Sequence, residues 1–422
     1  MSKYYLSDIA DFISDKIEFS SIELDKYIST DNMLPNFNGV TLSTVEPSLN
    51  KCTKFKAGDT LFSNIRTYFK KVWFADFDGG CSPDVIVMRT KNEELVLPEF
   101  LYLLICSEDF INFTVMSSNG AKMPRGDKKA MLKYEFEIPS IEEQKIAINH
   151  YFKIKEKIQL NTQINQTLEQ IAQALFKSWF VDFDPVHAKV QALSDGLTLE
   201  QVELAAMQAI SGKTPEELTA LSQTQPDRYA ELAETAKAFP CEMVEVDGVE
   251  VPKGWTFQYL KDICNIVYGK GLPKTKLTNT GYRVFGANGV IGYYSEFMYK
   301  NPQILIGCRG TVGQVTVSTP FSFITNNSLI IEYENSLINR YYLEHYLRTL
   351  NLKEISSGSV QLQITIQNMS GVKLLTPNRE TLSLYEINVK DIYETMYQNQ
   401  IENEKLTKVR DLLLPKLLSG EI

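Results

Sequence analysis

Chemistry needs particular side chains within reach of one another, and this chain is sparing with them. Its only histidines are His150, His187 and His345, and none stands in metal-ligand spacing with a second histidine or a cysteine. Six cysteines (Cys52, Cys81, Cys106, Cys241, Cys264, Cys308) are scattered without a C-x-x-C pair. The start, MSKYYLSDIADF, lacks the apolar core of an export signal, so the cysteines read as free thiols of a reducing cytoplasm. No G-x-x-x-x-G-K-[ST] loop, G-x-S-x-G elbow or D-P-P-Y-like tetrapeptide is present. GCRGTVG, residues 307–313, follows no dinucleotide-binding pattern and reads as a tight turn between strands. One constellation has catalytic types: Asp84 with Asp127-x-Lys129 could imitate the carboxylate–lysine site of a nuclease. The simpler reading of GDKK is a basic loop. The expectation is a protein that is not an enzyme and that holds no metal or cofactor of its own.

Basic residues among aromatic ones are more informative. In the first part of the chain they form K-C-T-K-F-K with Lys54 and Lys56, R-T-Y-F-K-K with Arg66, Lys70 and Lys71, and A-K-M-P-R-G-D-K-K with Lys122, Arg125, Lys128 and Lys129. In the later part they are Lys270, Lys274 and Lys276 of G-K-G-L-P-K-T-K, then Arg283 and Arg309. Loop lysines and arginines neutralise phosphates, and arginine can fork onto guanine edges. Singly, each is an ordinary solvated residue. As sets at similar places in two halves, they point to double-stranded DNA. The formal charge of −9 does not oppose this, because residues 191–250 hold twelve acids and three bases and so carry the whole imbalance.

The elements that position these residues are written twice. L-S-D-I at Leu6 returns as L-K-D-I at Leu260, an offset of 254. SSNGAKMPR (117–125) faces SSGSVQLQI (356–364) at 239, Met131 faces Met369, and Pro139 faces Pro377. FSNIRTYFKKVWF and LIGCRGTVGQVTV match on Arg66 and Arg309 at 243. At a constant 238, two helical stretches follow. Steps of four and three along the first give Ile154, Ile158, Asn161, Asn165, Leu168, Ala172, Leu175 and Trp179. The second gives Ile392, Met396, Asn399, Asn403, Leu406, Arg410, Leu413 and Leu417. This is coiled-coil spacing, with asparagines matched on both seams, where they cost stability and set register. Paired antiparallel, Asn161 could face Asn403, or Asn165 face Asn399.

The organisation expected is a globular unit at 1–140, a helix at 141–185, an acidic insert at 186–250, a second unit at 251–380 and a second helix at 381–422. The units mix short strands (SPDVIVM, QILIG, SLIIEY) with a helix each. No run of about 18 apolar residues predicts a membrane span.

The chain resembles the specificity (S) subunits of type I restriction–modification systems over its full length. The resemblance rests on LEQIAQALFKSWFVDFDP (168–185), KVRDLLLPKLLSGEI at the end, L-x-D-I twice, GDTLFSNIR (58–66), IGCRGTVG and IPSIEEQ (138–144). It implies an α+β molecule: two diverged α/β target recognition domains in pseudo-two-fold arrangement, separated by two long antiparallel coiled-coil helices. It implies that each domain reads one half of a split, asymmetric DNA site. Two modification (methyltransferase) subunits, which carry the S-adenosylmethionine site, dock on the helices, and restriction subunits can join. About 30 residues of helix at roughly 1.5 Å each span about 45 Å, which makes the helices a ruler for half-sites about 10–13 bp apart. A nuclease, or a coiled-coil scaffold without DNA, is the alternative. The aromatics of SWFVDF could cap the base of a recognition domain or receive the methyltransferase subunit. The second is expected for Trp179 and Phe180.

Overall fold

A computed structural model describes all residues except 1, 45, 47–49, 121, 335, 359–361 and 422. The chain divides into two compact units. Unit 1 is Met1–Gln163 with Asn399–Ile422, and unit 2 is Ile164–Gln398. Each unit therefore holds one part of both long helices, Ile141–Phe180 and Arg379–Leu418. No helix among the described residues is long and apolar enough to cross a membrane.

The same frame is built in each unit. In unit 1 the strand Ser2–Tyr5 pairs with Glu135–Ile138, and a single helical turn, Leu6–Ile9, follows. In unit 2 Thr256–Tyr259 pairs with Lys373–Thr376, and Leu260–Ile263 follows. The L-x-D-I signature is that turn, with its leucine buried in each copy. A four-stranded antiparallel sheet comes next. Its order in unit 1 is Ala10–Ile13, Val85–Thr90, Thr60–Ser63, Val72–Phe74. In unit 2 the order is Asn265–Tyr268, Ser328–Glu332, Ile304–Gly307, Val315–Val317. The Ile and Leu of ILIG and SLIIE are buried on both faces, as a central strand requires. The helices Pro98–Ile105 and Arg340–Thr349 add to the respective cores.

A second sheet in each unit is where the copies part. Unit 1 has Lys16–Glu18, Lys51–Phe55, Gly79–Cys81 and Tyr27–Ile28. Unit 2 has a hairpin, Tyr282–Gly286 with Gly289–Tyr294, beside Phe323–Ile324. Among the described residues only the parallel pairing is shared, Tyr27–Ile28 with Gly79–Cys81 in unit 1 and Tyr282–Gly286 with Phe323–Ile324 in unit 2, where Ser82 N donates to Ile28 O as Thr325 N donates to Phe285 O.

Local signals explain the first long helix. Ser140 and Glu143 form a reciprocal cap: Glu143 Oε2 accepts from Ser140 N at 2.8 Å, and Glu143 N donates to Ser140 Oγ at 3.4 Å. The next residue of IPSIEEQ, Gln144, is fully buried. Its amide donates to Leu95 O and Pro139 O and accepts from Leu97 N. That fastens the helix to the loop before Pro98–Ile105. The helix ends at Phe180. Asp-Pro at 184–185 does more than stop it, because Pro185 sits in the first turn of the next helix, Asp184–Ser194. The acidic insert continues as Leu199–Ser211, Pro215–Thr224 and Pro226–Lys237, with a small core of Ala206, Met207, Leu218 and Ala236. Lys189, 2% exposed, donates to Phe239 O at 2.9 Å, and Asn378 and Thr381 donate to Ala238 O. The insert is thereby tied to the start of the second long helix.

The helices pair antiparallel. In unit 1, Asn161 Nδ2 donates to Asn403 Oδ1 at 2.9 Å and to Glu402 Oε2 at 2.6 Å. In unit 2, Asn165 Nδ2 donates to Met396 O at 3.0 Å. Every seam position named above is buried or half-buried.

The aromatic stretch has a different place from the one expected. Trp179 is 0% and Phe180 3% exposed, inside the core of unit 2. Trp179 lies edge-on to Phe239 at 5.0 Å, and Phe180 edge-on to Tyr385 at 5.0 Å and to Tyr342 at 4.8 Å. Rings enclosed in this way offer no surface to a second protein. They cap the base of a globular unit, the other role open to them. Their counterparts at 238, Leu417 and Leu418, pack against the core of unit 1.

Candidate nucleic-acid interface

Three backbone hydrogen bonds define equivalent loops in the two frames. Ser63 N donates to Lys71 O, Asn64 N to Asp84 O, and Gly126 N to Asn64 O. In unit 2 Gly307 N donates to Gln314 O, Cys308 N to Asn327 O, and Ile364 N to Cys308 O. A hairpin loop (64–71 or 308–314) and a second loop (117–127 or 355–365) are thus laced together twice. The bridge Asn119↔Arg125 returns as Ser357↔Gln363. Residues 121 and 359–361 of the second loop lie outside the described residues.

This lacing corrects two sequence matches by one residue. Asn64 is equivalent to Cys308 and Lys71 to Gln314, so the unit 1 loop is one residue longer; counted from Asn64, with left-handed Arg66 on left-handed Gly310, Arg309 falls on Ile65. The second-loop offset is 238 rather than 239, so Arg125 falls on Gln363. The consequence for charge is large. Counterparts of Arg66, Lys70, Lys71, Arg125, Lys128 and Lys129 are Gly310, Gly313, Gln314, Gln363, Ile366 and Gln367. The basic clusters do not occupy similar places. This face carries more basic residues in unit 1 than in unit 2, where Arg309 and Lys353 remain on it and the other lysines lie on the 270–276 segment.

Comparison with known proteins places the chain. The sequence model of the family described as "Type I restriction modification DNA specificity domain" matches residues 2–170 and again 252–410. The HindI type I restriction enzyme specificity subunit of Haemophilus influenzae is 43% identical over 458 residues, covering 100% of this chain and 99% of that protein. This chain belongs to the type I restriction enzyme specificity subunits. The MjaIX specificity subunit of Methanocaldococcus jannaschii is 24% identical over 352 residues, 78% of this chain and 69% of that one. The fold is similar to that of the S subunit from M. genitalium, with a TM-score of 0.54 at 16% identity, over 99% of this chain and 95% of that one. The family's domain is a recognition module rather than a catalytic one.

In this specificity subunit the candidate residues have distinct surroundings. Lys54 and Lys56 are exposed on and beside the strand Lys51–Phe55. Lys70 is paired with Glu108, and Lys71 Nζ donates to Thr30 O at 2.5 Å, so both are engaged by their own unit. Arg125 is 59% exposed although Asp84 Oδ1 lies 2.8 Å from its Nη2. Lys122, Lys128 and Lys129 are exposed. Lys270, Lys274 and Lys276 are exposed, the last two on a short 3-10 turn, and Arg283 is half-buried on Tyr282–Gly286. Arg309 is exposed and lines a groove with Thr311, Lys353, Leu362 and Gln363. Lys353 was not a sequence candidate: a lone lysine outside any cluster, it is brought to Arg309 only by the fold. Exposed Tyr68 and Phe69 in unit 1, and Tyr282 and Phe321 in unit 2, supply ring faces nearby in each chain segment.

The nuclease constellation has other partners. Asp127 caps the turn Lys128–Met131, accepting from Lys129 N at 2.8 Å, while Asp84 pairs with Arg125. Among the described residues no group of three or more His, Cys, Asp or Glu is placed to share a metal ion. All six cysteines are unbonded and five are buried, and burial pushes the Cys81 and Cys106 thiols up to about 12.

Equivalent polar pairs join each domain to its helix. Lys155 Nζ lies 3.2 Å from Tyr102 Oη, and at the matching positions Tyr393 Oη lies 2.6 Å from His345 Nε2. His345 is 3% exposed and stacks on Phe176 at 5.3 Å, and burial holds its pKa down at about 4. The unfolded chain takes up this proton near 6.5 while the folded chain refuses it until about 4. Stability is therefore lost as pH falls through that window. Between pH 7.5 and 5 the loss from this residue is about 2 kcal/mol. Urea unfolding of wild type against His345→Asn at the two pH values measures it, and equal pH dependence in both proteins would disprove it.

Proposed function

We propose that the two units each read one half of an asymmetric, bipartite site in double-stranded DNA. The long helices set the distance between half-sites and receive two modification subunits, which carry the methyl-transfer chemistry in the cytoplasm. Restriction subunits join that complex. The observation that carries this reading is one hydrogen-bonded frame built twice with different charges at equivalent loop positions. Equal copies would read a palindrome; copies whose loops differ at Arg66/Gly310 and Arg125/Gln363 must read unequal sequences. Arg66, Arg125, Lys122, Lys128 and Lys129 are the proposed contacts of unit 1, and Lys270, Lys274, Lys276 and Arg309 those of unit 2.

The test is co-expression with the modification subunit and mapping of the modified adenines. The expected result is a split, non-palindromic motif. Exchanging residues 1–140 for those of another specificity subunit should change one half of it and leave the other half intact. Absence of any split motif, or a change in both halves, would defeat the proposal.

A further inference from the structure

The hairpin loops of the two frames differ by one residue and by the 3-10 turn Thr67–Phe69 of unit 1, yet they match in one backbone feature. Each loop has two left-handed positions. In unit 2 both are glycine, Gly310 with φ 79° and Gly313 with φ 82°. In unit 1 the same positions are Arg66 with φ 49° and Lys70 with φ 54°. Glycine adopts positive φ freely, whereas a residue with a Cβ is strained there. Lack of room does not explain the glycine, because a Cβ built at Gly310 meets nothing within 4 Å. The second copy takes the unstrained residue, and the first keeps basic side chains against the backbone preference.

For Lys70 the unit itself supplies a reason, the ion pair with Glu108. Arg66 has none: no ion pair or side-chain hydrogen bond to its guanidinium occurs among the described residues. Its backbone is nevertheless held, with Arg66 N donating to Pro124 O at 2.8 Å. The strained loop end is thus braced from the neighbouring loop. Beside it Ile65 bridges to Arg125, and exposed Tyr68 follows two residues on. A strained residue that a surrounding structure fixes, and whose side chain nothing inside the unit uses, marks a functional position. The planar fork of arginine matches the O6 and N7 acceptors of guanine in the major groove.

We infer that Arg66 is a specificity-determining side chain of unit 1, reading a guanine edge in its half-site, and that Gly310 leaves the equivalent position of unit 2 unread. The inference rests on the DNA-recognition reading above. The experiment uses the chain co-purified with its modification subunits, and Arg66→Gly and Arg66→Lys variants. Binding is measured on the mapped duplex and on duplexes changed at single base pairs, at several salt concentrations, beside thermal melting. Arg66→Gly should melt no lower than wild type, bind the mapped site on the order of 10- to 100-fold more weakly, and loosen the methylated motif at one base pair of one half. Arg66→Lys should recover affinity better than discrimination. Unchanged binding and motif would overturn the inference. So would uniform weakening on all sequences with a shallower salt dependence, which marks a phosphate contact, and so would a lowered melting temperature, which marks a structural role. In each of those cases the wild-type split motif stands; if wild type itself yields none, the recognition reading falls as well.

Discussion

Trp179→Ala is expected to destabilise unit 2 by about 3–5 kcal/mol, the usual range for emptying a large aromatic site in a core. The indole is 0% exposed and is walled by Phe180, Phe239 and Tyr385. Its Nε1 has no hydrogen-bond partner among the described residues, so the loss is one of packing alone. The matched residue in the other copy is Leu417, which does the same work with less volume. Trp179→Leu should therefore cost less than Trp179→Ala, because part of the cavity stays filled. Urea unfolding followed by the fluorescence of Trp255, itself 1% exposed in the same core, reads the effect. A Trp179→Ala protein that unfolds as wild type does, yet no longer co-purifies with the modification subunit, would restore the surface role and refute the core one.

Asp59→Ala should destabilise unit 1 by about 2–3 kcal/mol. Asp59 is the aspartate of GDTLFSNIR and is 1% exposed. Its carboxylate takes Arg89 Nε at 2.6 Å and Nη2 at 2.7 Å, and it accepts from Lys56 N at 2.8 Å. A two-pronged charged pair with a further backbone bond is among the stronger polar contacts. Removing one partner of a buried pair costs about 3–5 kcal/mol when the other charge is stranded. Here the Arg89 side chain is 34% exposed and can turn to water, which lowers the figure. Asp59→Asn keeps the shape and one acceptor, and should retain part of the stability. Trp73 is buried in unit 1 and reports its unfolding. No change in the midpoint for Asp59→Ala would show that the carboxylate is not what joins this loop to the strand Val85–Thr90.

The motifs that made the family recognisable thus have physical tasks that local sequence cannot display. GDTLFSNIR carries an aspartate that locks a strand, a buried strand, and an arginine in a left-handed turn. IPSIEEQ carries a helix cap and a buried glutamine. LEQIAQALFKSWF carries a seam whose last turns become the floor of a domain.

What the sequence determined by itself was everything with a short period or a local partner. Both long helices, their seams and the repeat itself followed from spacing, because helical periodicity is a property of neighbouring residues; that Asn161 bonds Asn403, and that L-x-D-I is a helical turn, came from the structure. Equivalence between residues far apart likewise came from the folded backbone. The hydrogen bonds that set Asn64 on Cys308 and Gly126 on Ile364, with the left-handed residues of the two hairpin loops, place Arg66 on Gly310 and Arg125 on Gln363. A single inserted residue shifts a match by one, and in extended chain one position changes which side a residue faces. The burial of Trp179 and Phe180, the meeting of Lys353 with Arg309, and the charge difference between the two loop faces all arise in the same way. They depend on which distant segments the backbone hydrogen bonds bring together, and no local pattern of side chains encodes that choice.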